Sequence, residues 1–180
     1  MLEDRLLLWK FRHGSKDAFR TLYEKYAADM LTLAGNLLDD KTGAEDIVQD
    51  VFIRFVESVG TFRLTGNLKS YLATCVANRS RDYLRRRIRQ RNAMAKQVEK
   101  TPAETKSTIH LAVYSEALEK LSLALSELPY EQREVIALRI HGNLRFRQIA
   151  ELQNISTKTV QSRYRYGLDK LRSTLNGEVK

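Results

Sequence analysis

A chain of 180 residues with 43% hydrophobic side chains can bury one moderate core or two small ones. Its single cysteine, Cys75, excludes an internal disulfide and a multi-cysteine zinc site, and no run approaches the roughly 20 apolar residues that cross a bilayer. The net charge of +9 is unevenly placed, with 10 basic and 11 acidic residues in Met1 to Ala77 but 21 and 11 in Asn78 to Lys180, so a polyanionic partner is expected for the second part.

Glycine and proline are scarce, and helical periodicity runs through the chain. The N-terminal MLEDRLLLWKF has acids where a signal peptide needs basic residues, so a soluble, cytoplasmic protein without membrane insertion is expected. Leu6, Leu7, Trp9 and Phe11 are followed by Ala18, Phe19, Leu22, Tyr23 and Tyr26, then by Leu31, Leu33, Leu37 and Leu38. Thr42 or Gly43 opens a helix whose wide apolar face is Ile47, Val48, Val51, Phe52, Phe55 and Val56, with Glu45 and Asp46 in its first turn. A turn at GTFRLTGN precedes a helix that begins near Asn67 or Leu68 and continues through Tyr71, Leu72, Cys75, Val76, Tyr83 and Leu84 into an arginine run.

From about Gln90 to Thr108 the periodicity fades into a polar segment, which marks a boundary. The expected division is a first domain over 1–90, a linker over 91–108 and a second domain over 109–180, all helical. In the second, a helix from about Ile109 to Glu127 precedes a break at Leu128-Pro129 and a helix to about Ile140. Pro129 suits a first helical turn, and Gly142 suits a left-handed cap.

Ile149 to Arg172 then reads as two helices around a corner. Phe146, Ile149, Ala150 and Leu152 make one apolar face, and Val160, Tyr164, Leu168, Leu171 and Leu175 make the next. Ala150 allows close crossing, Asn154 tolerates a left-handed turn, and Ser156 is a good N-cap. The outward face of the second helix carries Thr157, Lys158, Thr159, Gln161, Ser162, Arg163, Arg165 and Tyr166. Arg and Lys suit guanine edges, Gln suits adenine, and hydroxyls suit phosphate. An amphipathic hairpin with a solvated polar face is the bland reading. Against it stand five bases, Lys158, Arg163, Arg165, Lys170 and Arg172, opposed by one acid, Asp169.

The run LSELPYEQREVIALRIHGNLRFRQIAELQNISTKTVQSRYRYGLDKLR resembles region 4 of bacterial sigma factors, particularly the small extracytoplasmic function (ECF) group of the sigma-70 family. Leu128, Pro129, Glu131, Gln132, Arg133, Ile149, Ala150, Thr159, Val160, Ser162 and Arg163 stand where that pattern has them. The resemblance implies that the second helix reads a −35 promoter element. Asn154 departs from the usual turn glycine, and Arg145, Arg147 and Gln148 replace the usual helix start. Arg145 and Arg147 set positive charge at a helix N-terminus, which a nearby DNA phosphate would relieve.

DAFRTLYEKYAADM and AEDIVQDVFIRF resemble the opening helix and the most recognisable helix of sigma region 2. There the resemblance implies contacts with core RNA polymerase by Asp46, Gln49, Asp50 and Arg54. A metal pair at Asp46 and Asp50, for nuclease chemistry, lacks a nearby His and a third carboxylate. FRLTGNLKSYLATCVANRSRDYLRRR resembles the segment that captures and melts the −10 element, with a non-template base extruded from the stack. By position the loop is Phe62, Arg63, Leu64, Thr65, Gly66 and Asn67, with Tyr71 and Asn78 at the pocket. Tyr71 reads equally as core packing or as a stacking platform. Arg79, Arg85 and Arg86 belong to a cluster with Arg81, Arg87, Arg89 and Arg91, best read as a phosphate clamp.

The resemblance thus implies a promoter-directing initiation factor whose partners are core polymerase, double-stranded promoter DNA and the non-template single strand. Members of the group often have an anti-sigma protein as well. No cofactor, metal or catalysis by the chain itself is expected. A helix-turn-helix regulator that binds DNA alone is the alternative, and the AEDIVQDVF helix is the feature it does not explain.

Overall fold

The computed structural model describes residues 2–38, 40–64, 66–95 and 116–177, with the side chains of 94, 95 and 116–119 excepted. Eight helices are present among the described residues: α1 (Leu2–Arg12), α2 (Lys16–Leu38), α3 (Lys41–Ser58), α4 (Leu68–Ala95), α5 (Glu116–Ser126), α6 (Tyr130–Ile140), α7 (Phe146–Gln153) and α8 (Thr157–Leu175). Thr65, the start of the helix expected from Ile109 and most of the expected linker lie outside the described residues.

Local chemistry explains where several helices begin and end. Asp40 caps α3 by accepting the Gly43 N–H at 3.0 Å, so the helix starts before Thr42, and Glu45 and Asp46 fall in its second turn rather than its first. Pro129 stands just before α6 as its N-cap residue, in extended backbone, rather than inside the first turn. The turn after α6 differs from expectation too: Asn143, not Gly142, takes the left-handed conformation, with φ of 53°. Gly142 serves close packing instead. A Cβ placed there would lie 2.7 Å from the Leu138 carbonyl oxygen, 2.8 Å from Leu144 Cδ1 and 2.9 Å from Ala73 Cβ.

Helices α2, α3 and α4 pack against one another, and α1 lies along α2. In α1 the apolar periodicity is only partly a core signal, because Leu8 is buried whereas Leu6 and Trp9 are 52% and 56% exposed. A polar anchor holds the helix instead. The buried Asp4 carboxylate accepts from Tyr26 Oη at 2.8 Å and Lys25 Nζ at 2.9 Å, and Lys25 also bonds Glu3. Burial alone would raise the Asp4 carboxyl, but the hydrogen bonds from Lys25 and Tyr26 hold it below its usual range.

In the second unit α8 packs on α5, α6 and α7. Gly167 lets α8 approach α6, since a Cβ there would meet Ile136 Cδ1 at 2.7 Å. The two units do not stand apart. Helix α6 lies against both α2 and α4, and one apolar cluster running from Leu8 to Val160 draws on both units, while Ala124, Leu128, Ile136 and Leu171 form a second, smaller cluster within the second unit. The arrangement is closed.

Candidate nucleic-acid interface

The corner between α7 and α8 is built as its residues dictate. Asn154 adopts φ 54° and ψ 47°, the left-handed conformation, and its N–H closes onto the end of α7. Ser156 Oγ accepts the Thr159 N–H at 3.0 Å and so caps α8. Ile149, Ala150 and Val160 are buried in the elbow, and Phe146 meets Tyr164 edge to face at 5.2 Å. Thr157, Lys158, Thr159, Gln161, Arg165 and Tyr166 are exposed along the outer face of α8, whereas Ser162 and Arg163 are half-buried.

At the start of α7, Gln148 Oε1 accepts the Arg145 N–H at 2.8 Å, which satisfies one orphan donor of the helix. Arg147 is exposed and pairs with Glu151 at 3.1 Å. Arg147, Glu151, Asn154, Ser156 and Thr157 rim an open concavity of about 540 Å³ at the helix corner.

In the first unit Phe62 packs against Tyr71 with ring centroids 4.6 Å apart, and both approach Phe55. Tyr71 is therefore half-buried, one wall of an aromatic cluster under the loop. Arg63 and Gly66 are exposed, Leu64 is half-buried against the core, and Asn67 Oδ1 accepts the Lys69 N–H at 2.8 Å to start α4. Asn78 is exposed on the face of α4 one turn before Arg81 and Asp82.

The arginine run is more divided than its sequence suggests. Arg79 Nε pairs with Asp50 at 3.2 Å, Arg87 with Asp40 at 3.3 Å, and Arg81 with Glu134 at 2.8 Å, so acids distant in sequence oppose bases that locally face only Asp82. Arg85 lies 3.8 Å from Asp82, and both are well exposed. Arg86 and Arg89 extend into solvent. On α3, Asp46, Gln49 and Arg54 are exposed, and Asp50 also receives Arg54 Nε at 3.0 Å. Ile53 belongs on this face and was missed: it is 58% exposed, one turn beyond Gln49, and the helical spacing alone marks it as off the core stripe.

The decisive geometry lies where the units meet. Glu134 of α6, 3% exposed, accepts Arg81 Nε of α4 at 2.8 Å and Gln153 Nε2 at 2.8 Å. Arg81 Nη1 donates to the Leu152 carbonyl at 3.1 Å and to Asn78 Oδ1 at 3.4 Å, and Arg163 Nη1 donates to Gln153 Oε1 at 3.1 Å. Asn78 of α4 and Arg163 of α8 are thus the ends of a single hydrogen-bonded chain through the domain contact. Ser70 Oγ adds a bond to the Asn143 carbonyl at 3.3 Å. Burial raises the Glu134 carboxyl above its ordinary range, with Arg81 opposing that shift.

The chain matches the family models for Sigma-70 region 2 over residues 22–90 and for Sigma-70 region 4 over residues 124–173. The two matches together span most of the chain and fall on the two units just described.

The chain belongs to the sigma-70 family, in the ECF group.

Similar proteins include the ECF RNA polymerase sigma factor SigX of Bacillus subtilis, 27% identical, with 87% of this chain and 83% of the relative covered. RNA polymerase sigma factor CarQ of Myxococcus xanthus is 28% identical over 95% of this sigma factor and 96% of its own length. Among solved structures, the sigma factor RpoE in complex with the anti-sigma factor NepR, from Bartonella quintana, is similar at 26% identity with a TM-score of 0.72, covering 90% of this chain and 98% of that one.

His141, at the end of α6, is expected to give the sigma factor's closed form a pH dependence. Burial holds its imidazole below the ordinary value of 6.5, while Asp29 raises and Lys69 lowers it, both from the first unit. A His whose pKa is depressed in the closed state leaves closure unpenalised above about 6.5 and opposes it as pH falls through that value. Small-angle scattering at pH 7.5 and 5.8 is expected to show a more open population at the lower pH, and His141→Gln is expected to flatten the change.

Proposed function

We propose that this chain is a transcription initiation factor that binds core RNA polymerase through the exposed face of α3 and directs it to promoters at two points. In this reading residues 1–90 form the polymerase-binding and −10 domain, 91–108 the linker and 109–180 the −35 domain, and the factor works in the cytoplasm beside the polymerase. Asp46, Gln49, Asp50 and Arg54, with Ile53, carry the polymerase contact. The loop from Phe62 to Asn67, with Tyr71, Asn78, Arg79, Arg85 and Arg86, receives the −10 strand, and the outer face of α8 reads −35 bases. The supporting observation is that one chain carries two basic, exposed DNA-facing elements together with an acid-Gln-acid face that a stand-alone regulator does not need. RNA synthesis belongs to the polymerase, so the role requires no reaction by the chain itself.

Geometry adds a requirement. Elements about 25 base pairs apart are separated by roughly 80 Å at about 3.4 Å per base pair. A compact chain of this length has a radius of gyration of about 16 Å. The closed arrangement cannot span both elements. The 13 linker residues after Ala95, 96–108, have a contour length of at most about 45 Å, which bridges the span once each separated domain adds its own width. Separation strips α6 from α2 and α4 and exposes apolar surface, so polymerase and DNA must cover what closure covers in the free chain. An anti-sigma protein, as partners the Bartonella relative, would act by favouring the closed state.

Promoter-directed transcription with added core polymerase is the primary test. Failure both to bind core and to support initiation would overturn the proposal. Asp50→Arg is expected to weaken core binding by roughly tenfold or more, about 1.4 kcal/mol, because it replaces the acid that Arg54 and Arg79 flank with a third guanidinium. For the −35 contact, Arg147→Glu is expected to make the logarithmic salt dependence of promoter binding shallower by about 0.9, one phosphate contact. An unchanged slope would remove Arg147 from the DNA backbone.

A further inference from the structure

Beside the −10 loop lies a groove of about 290 Å³ lined by Arg5, Leu8, Trp9, Arg12, Arg63 and Leu64. Helix α1 supplies four of these residues and precedes residue 22, where the region 2 match begins. Trp9 is 56% exposed, an unusual position for the only tryptophan in the chain. Its ring is not loose. His13 packs on it with ring centroids 4.3 Å apart, and His13 Nδ1 lies 2.8 Å from the Trp9 carbonyl oxygen, so the indole is braced from one side.

Charge in the groove has one sign. Arg12 Nε donates to the Val59 carbonyl at 3.0 Å, which holds that guanidinium at the end of α3. Arg5 and Arg63 are exposed, with no acidic side chain within ion-pair distance among the described residues. The nearby acids Glu3 and Asp4 are engaged by Lys25. A braced aromatic face among three guanidiniums suits an unstacked base with phosphates on either side. An intact duplex buries its base faces and cannot use the indole. A hydrophobic helix laid in the groove would strip water from three cations without pairing them.

We propose that this groove is a second single-stranded DNA subsite, in which Trp9 stacks one base and Arg5, Arg12 and Arg63 take the adjoining phosphates. The proposal rests on the reading that the adjacent loop, Phe62 to Asn67, handles the melted −10 strand; Arg63 belongs to both. The strand leaving the loop passes onto α1, which extends the held length of single strand beyond the −10 pocket itself.

Trp9 reports on its own site, because no other tryptophan contributes to the emission. Titrating the full chain with oligothymidylate is expected to quench that emission, and a duplex of equal length is expected to do so far less. With a labelled oligothymidylate followed by anisotropy, Trp9→Ala is expected to weaken binding by roughly 5- to 100-fold, the range for loss of one base stack. Trp9→Phe is expected to retain most of the affinity, and Arg5→Glu to lose about tenfold, while circular dichroism shows both proteins folded. Equal quenching by duplex, or unchanged affinity in Trp9→Ala and Arg5→Glu, would overturn the proposal. So would intact single-strand affinity with lost core polymerase binding, which would make the groove a protein-docking face. Asn78→Ala, run in parallel, separates the two readings: if it alone weakens binding, the −10 assignment stands and the subsite fails. If none of the variants weakens binding, both fail.

Discussion

Replacing Arg81 by methionine is expected to open the molecule. In the closed form Glu134 is 3% exposed, and its charge is compensated across the domain contact by Arg81. Removal of one partner from a buried ion pair leaves an uncompensated charge and costs about 3–5 kcal/mol. That cost falls on the closed form alone, because separation returns Glu134 to water. The ratio of closed to open chains should fall by a factor on the order of 10² to 10³. Scattering should show a radius of gyration clearly above the compact value of about 16 Å. Core polymerase binding should tighten wherever closure competes with it. A second substitution separates charge from packing: Glu134→Leu in the Arg81→Met background replaces the pair with apolar side chains, which is often neutral or stabilising, and should restore closure. If Arg81→Met stays as compact as the parent, Arg81 and Glu134 do not hold the domains together.

The second large effect is expected at Gly142. An added Cβ would approach a backbone oxygen of its own domain and the Ala73 methyl group of the other, both under 3 Å. Neither can swing aside as a long side chain could. Overpacking of this kind costs about 1–3 kcal/mol, and each kcal/mol lowers the melting temperature of a domain this size by roughly 4–8 °C. Gly142→Ala should therefore both melt earlier and populate the open form. Ala73→Gly in the same chain removes the contact between domains but not the clash with the Leu138 carbonyl. Closure should then recover while the melting temperature does not. Recovery of both, or of neither, would refute this division of the strain.

The local features of the site were legible because they depend on residues a few positions apart. Asn154 in the left-handed region and Ser156 capping α8 follow from the chemistry of single side chains at a turn. The exposed face of α8 follows from a period of 3.6 residues. Where local rules compete, the sequence reading slipped by a residue or two. Asp40 captured the start of α3 ahead of Thr42, and Asn143 took the left-handed turn that glycine could also have taken, leaving Gly142 to a close contact. Periodicity marks a helix's apolar stripe but not what lies against it, so it could not separate buried Leu8 from exposed Leu6 and Trp9.

By itself, the sequence determined an all-helical chain, the exposed polar and basic faces of α4 and α8 and the acid-Gln-acid face of α3, since helix formation, capping and turn chemistry are settled within a few residues. Only the tertiary structure decided that the two domains close on each other. It also decided which arginines point to solvent and which are held by Asp40, Asp50 and Glu134. The physical reason is separation along the chain. Arg81 and Glu134 lie 53 residues apart, and whether a charge is desolvated and paired depends on which surfaces packing brings together.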